Sequence, residues 1–98
     1  MKTKLKQFLS DIDENIVVAD GFDNAFVGLA NTKDGIVAVY QIDLVAVELM
    51  EDKGMTIEEA EEYIDFNISS AYVGPRTPLF LNYIPKEFWN GFSIEDIQ

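Results

Sequence analysis

Between Asp43 and Asp65 the chain carries nine of its 18 acidic residues and a single base, Lys53, a local charge of −8 (nine acids minus one base). An ionised carboxylate taken out of water without a partner is costly to bury, so this segment has to keep one side in solvent while its many apolar residues turn inward. Helical spacing meets both demands. The segment reads as two helices joined at Gly54, and the rest of the fold has to accommodate that hairpin.

Asp43 is placed to cap the start of a first helix over Leu44 to Lys53, and Gly54 stands where a left-handed C-cap is wanted. At about 100° per residue, Leu44, Val45, Ala46, Val47, Leu49 and Met50 point in nearly every direction. Only a narrow stripe of Glu48, Glu51 and Asp52 is left for water, so this helix is expected to be mostly buried. The second helix opens with Thr56-Ile57-Glu58-Glu59, the pattern of a capping box. Ile57, Ala60, Tyr63, Ile64 and Ile68 then share one arc, while Glu58, Glu59, Glu61, Glu62 and Asp65 fill another. Phe66 projects to the acidic edge, opposite Ile57 and Ile68.

Elsewhere the pattern is mixed. Leu5, Phe8, Leu9 and Ile12 mark one face of an N-terminal helix, with Lys2, Lys4 and Lys6 at the end where the macrodipole disfavours cations. Ile16 to Ala19 is a short β-type run. Ala25 to Ala30 and Ile36 to Tyr40, separated by Asn31-Thr32-Lys33-Asp34-Gly35, read as a hairpin with Gly35 at positive φ. Gly28, inside the first of these strands, suggests a bulge or a site of close packing. Gly74-Pro75-Arg76-Thr77-Pro78 breaks any helix, and Leu79 to Ile84 alternates as a strand closed by Pro85. Phe88, Trp89 and Phe92 carry enough aromatic area to be expected against the body of the protein or a partner. These elements predict an α+β fold in the order α-β-β-β-α-α-β: an N-terminal helix, an antiparallel sheet of three to four strands, and an αα-hairpin from Asp43 to Ser70 packed on one face.

The 98 residues suit one globular domain over 1–98, and 48% hydrophobic content is too rich for a disordered acidic chain. With no cysteine, nothing calls for an oxidising compartment. Met1 to Ser10 lacks the apolar core of a signal peptide, and no run approaches a membrane span, so a cytoplasmic location is expected. The net charge of −11 repels nucleic acid and anionic lipid and attracts basic partners.

Catalytic machinery is not legible. Zero histidines and zero cysteines remove the commonest general base and the usual transition-metal ligands. Ser10, Ser69, Ser70 and Ser93 have no imidazole to activate them. Asp11, Asp13 and Asn15 are spaced like the first ligands of a calcium loop, but Ile16 stands where that loop needs glycine and Phe22 where it needs glutamate. No glycine-rich phosphate cradle follows a strand. The expectation is therefore a protein that is not an enzyme and uses neither cofactor nor metal.

The segments Val37-Ala38-Val39-Tyr40, Glu48-Leu49-Met50, Asp52 to Ala60, Glu62-Tyr63, Asn67, Ala71-Tyr72-Val73-Gly74 and Thr77-Pro78 resemble small accessory proteins encoded by bacteriophages and prophages. The resemblance spans about Phe22 to Leu81 and is most specific over Gly54 to Tyr63 and Ala71 to Gly74. It implies a phage origin and expression in a bacterial host cytoplasm, and it assigns no activity to any residue.

Three functional readings follow. In the first, Glu58, Glu59, Glu61, Glu62, Asp65 and Phe66 bind a host protein with a basic surface, imitating nucleic-acid phosphates without binding nucleic acid or membrane. In the second, Gly74, Arg76 and Thr77 hold a small anionic ligand such as a nucleotide signal, with Arg76 as the anion contact. In the third, an apolar face of the hairpin or the aromatic tail forms a symmetric homo-oligomer.

Overall fold

The computed structural model describes residues 2–68 and 71–85. Helix α1 (Lys2–Ile12) is followed by a 3-10 turn (Asp23–Ala25) and strands β1 (Phe26–Thr32) and β2 (Gly35–Gln41). Helices α2 (Ile42–Lys53) and α3 (Ile57–Asn67) then lead to strand β3 (Leu79–Leu81). This is the α+β class the sequence predicts, with the order α-β-β-α-α-β.

The β1–β2 hairpin is tighter than its propensities suggest. Thr32 pairs with Gly35, leaving Lys33 and Asp34 as the turn. The Thr32 hydroxyl donates to the Gly35 carbonyl at 2.8 Å and accepts the Asp34 N–H at 3.1 Å, closing the turn from within. Gly35 takes φ +120°, as its position demands. The ladder shifts register between Phe26 and Gly28, which answers the ambiguity over Gly28 in favour of a bulge.

The sheet has three strands in the order β1-β2-β3 and is mixed. β1 runs antiparallel to β2, whereas β3 lies parallel to it, with Val39 opposite Leu79 and Gln41 opposite Leu81. The expected all-antiparallel sheet is corrected for a topological reason: α2 and α3 intervene between β2 and β3, and a crossover of that length is what parallel pairing needs. Leu79 to Ile84 contributes only its first three residues to the sheet. Ile16 to Ala19 forms no strand. Its last residue instead gives its backbone N–H to the Tyr40 hydroxyl at 2.9 Å.

Tyr40 organises the core. Its ring is fully buried, meets Phe26 edge-on at 5.8 Å and stacks on Phe80 at 5.6 Å, so all three strands contribute to one aromatic layer. Ala38 from the same face of β2, Val45, Ala46 and Leu49 from α2, and Ala60, Ile64 and Ile68 at α3 complete the cluster. The hairpin thus covers one face of the sheet. α1 behaves differently from its periodicity: Leu9 alone is buried, while Phe8 and Ile12 are exposed. The aromatic tail expected at Phe88, Trp89 and Phe92 lies outside the described residues.

Two details of α2 depart from expectation. The helix begins at Ile42 after an extended Gln41 that makes no side-chain cap; Asp43 sits in the first turn, where its charge suits the dipole. Glu48, expected in a water-facing stripe, is only 7% exposed, whereas Val47 and Met50 face solvent. The helix is rotated so that Glu48 points at the 3-10 turn and accepts the Asn24 N–H at 2.9 Å. At the other end Gly54 adopts the left-handed conformation, φ 68° and ψ 23°, as its place in the sequence requires.

Candidate functional site

The solvent side of α3 is built from its first turn. Thr56 is extended at the N-cap; its hydroxyl accepts the Glu59 N–H at 3.1 Å, and the Glu59 carboxylate accepts the Thr56 N–H at 2.8 Å. This reciprocal box fixes where the helix starts and hence which residues face inward. Ala60 and Ile64 are buried against α2 and the sheet. Glu58, Glu59, Glu61, Glu62 and Asp65 are all exposed.

The five acids are not equivalent. Glu59 is committed to the cap. Among the described residues, Glu58, Glu61, Glu62 and Asp65 form neither a hydrogen bond nor an ion pair through their side chains. Phe66 is 76% exposed, one residue beyond Asp65 and one turn beyond Glu62. It lies about 180° around the helix from Ile57, as its spacing predicts. An aromatic ring left this open beside uncommitted carboxylates suits docking against a surface both basic and apolar.

The residues of the second reading are placed differently. Gly74 and Thr77 line a cleft of about 590 Å³ that also takes in Ile42, Leu79 and Phe80. Arg76 turns away from that cleft. Its Nε donates to the Ile36 carbonyl at 2.9 Å and its Nη2 to Asp13 Oδ2 at 2.6 Å, so the guanidinium ties the loop to β2 and to the end of α1. The Thr77 hydroxyl is also occupied, donating to the Gly74 carbonyl and accepting the Val73 N–H. Asp34, which also lines the cleft, brings negative charge to a place where an anion would have to sit.

Two carboxyl groups outside the predicted set have shifted titrations. Burial pushes the Glu48 carboxyl up, aided by the negative charge of Asp52 and Asp23, while the hydrogen bond from Asn24 works the other way. The Asp13 carboxyl is held down by the Asn15 N–H and then by Arg76. In the sequence Asp13 reads only as a calcium ligand and Arg76 as the contact for an anion. No local signal could reveal a partner 63 positions away. Among the described residues, no group of three or more acidic side chains is arranged to hold a metal ion, and no helix is long and apolar enough to cross a membrane.

No family model, curated protein or solved structure matches the chain.

Proposed function

We propose that the protein is a non-enzymatic binding protein whose α3 face engages a basic surface on another protein in place of nucleic-acid phosphates. The observation that carries this reading is the grouping of Glu58, Glu61, Glu62 and Asp65, uncommitted to the fold, beside the exposed ring of Phe66. Charge density supports it. From Glu58 to Asp65 the helix rises about 10 Å, so its five carboxylates present about one charge per 2 Å, between roughly 1.7 Å for the axis of duplex DNA and roughly 3.4 Å for one strand.

The geometry also divides the labour among the residues. The four uncommitted acids steer and orient a basic partner, Phe66 supplies an apolar anchor, and Glu59 keeps the helix start in place. The resemblance to phage and prophage products supplies a setting, in which the partner is a host protein that handles nucleic acid.

The test immobilises the chain, exposes it to bacterial extract at low and at high salt, and challenges the captured proteins with duplex DNA. Basic proteins that are lost at high salt and displaced by the DNA are expected. A chain carrying Glu58→Gln, Glu61→Gln, Glu62→Gln and Asp65→Asn, with the capping box left intact, should not capture them. Equal capture by the neutralised chain would sink the reading.

A further inference from the structure

We propose that the outer edge of β1 is a self-pairing edge, on which a second copy of this chain adds its own β1 antiparallel about a two-fold axis. β1 is an edge strand of seven residues, Phe26–Thr32, and among the described residues nothing pairs with its outer side. Open edges are normally blunted by charge, proline or extreme shortness. This one has no ionisable residue and no proline, and the bulge at its beginning leaves Gly28 to Thr32 in regular register. β3, the opposite edge, has only three residues.

Charge identifies the occupant. In a chain of net −11, two copies repel through most of their surfaces, yet none of the three strands contains an aspartate, glutamate, lysine or arginine. The sheet is thus a neutral strip on an acidic molecule. The flanks of β1 differ in charge as well: Asp20 and Asp23 make the preceding flank negative, whereas the exposed Lys33 in the following turn, beside Asp34, leaves that flank neutral overall with a cation available. Antiparallel self-pairing sets the Lys33 end of each strand against the Asp23 end of the other, twice by symmetry. Parallel pairing would oppose like charges at both ends.

The side chains agree with this arrangement. Val27 and Leu29 are exposed on β1, and the groove they border continues across Gly28, Val39, Leu79 and Leu81. Joining two β1 strands would make a six-stranded sheet in which Val27 and Leu29 lie nearest the two-fold axis. α3 contributes nothing to the β1 edge, so the dimer would present two acidic helices and stands or falls separately from the partner-binding reading.

The experiment measures the solution mass of the whole chain by sedimentation equilibrium up to its highest soluble concentration. A species of twice 11.1 kDa is expected. Val27→Lys places a charge on the edge and should return the mass to 11.1 kDa with the circular dichroism unchanged. Lys33→Glu, in the exposed turn, leaves the strand intact and should weaken the dimer about tenfold by turning two attractive end contacts repulsive. The chain has no cysteine, so a nitroxide on Leu29→Cys should show dipolar broadening, while the same label on Phe66→Cys should not. A wild-type mass of 11.1 kDa throughout, assembly that does not stop at two, or a dimer indifferent to both charge variants would overturn the proposal.

Discussion

Arg76 reaches across 63 positions of chain to Asp13, closing to 2.6 Å, and on the way its Nε takes the carbonyl of Ile36 at 2.9 Å. Three parts of the fold meet there: the end of α1, the start of β2 and the loop before β3. Surface ion pairs contribute little, but this guanidinium is mostly covered and its loss would leave the Ile36 carbonyl without its partner. Arg76→Ala is expected to destabilise the protein by about 1–3 kcal/mol, read as a lower urea midpoint. Arg76→Lys should recover only part of this, since an ammonium lacks the fork that serves both acceptors. A midpoint unmoved by Arg76→Ala would show that the junction is dispensable.

Gly35 lies against the same guanidinium. A Cβ added there would stand 2.8 Å from Arg76 Cζ, at a φ of +120° that side chains rarely adopt. Gly35→Ala therefore combines backbone strain with displacement of an arginine that is held at both ends. The expected cost is about 1–3 kcal/mol from the backbone alone. In the Arg76→Ala background the steric part of the penalty should vanish, so a double-mutant cycle should report coupling between the two sites.

The pH dependence should come from two carboxyls with opposite signs. The folded-state pKa of Glu48 is raised above its ordinary 4.5, so its charge penalises the fold in full above the raised value. That penalty fades as pH falls and is gone below 4.5. Asp13 is lowered from 3.8, so its contribution is complete above 3.8 and is lost as pH falls through the depressed value. Stability should accordingly rise on mild acidification from neutral and fall again in stronger acid. Glu48→Gln keeps an acceptor for the Asn24 N–H without the buried charge. It should stabilise the protein at neutral pH, and its advantage over wild type should shrink to nothing near pH 4.5. Unfolding curves across this range decide it; a constant difference between the two proteins would assign the effect elsewhere.

Much of the fold was legible because its signals are local. The Thr56–Glu59 capping box, the left-handed Gly54 and the positive φ of Gly35 each depend on a few neighbouring residues, and each is present. The acidic arc of α3 follows from one periodicity and stands as its spacing predicts. What failed was non-local. Nothing near Glu48 says that the Asn24 N–H will be its partner, so in the sequence this mid-helix acid reads as water-facing. Ile16 to Ala19 has the composition of a strand, but its last N–H goes to the Tyr40 hydroxyl and no strand forms. β3 is parallel because of how the chain returns after α3, which its own residues cannot encode.

Phe66 gives the sharpest separation between folding and function. Its ring is three-quarters exposed and appears in neither the buried core nor the hydrophobics packed against it, so Phe66→Ala should leave stability within about 0.5 kcal/mol of wild type. If α3 docks on a basic partner with this ring as its anchor, the same substitution should weaken binding by about 2 kcal/mol, close to 30-fold. The loss should persist at high salt, where the contribution of Glu58, Glu61, Glu62 and Asp65 is screened. Calorimetric titration of a captured partner at two salt concentrations separates the two terms: charge variants should lose their effect as salt rises, and Phe66→Ala should not. Unchanged affinity for Phe66→Ala, with a thermal unfolding curve that superimposes on wild type, would remove the anchor from the interface and leave a purely electrostatic contact.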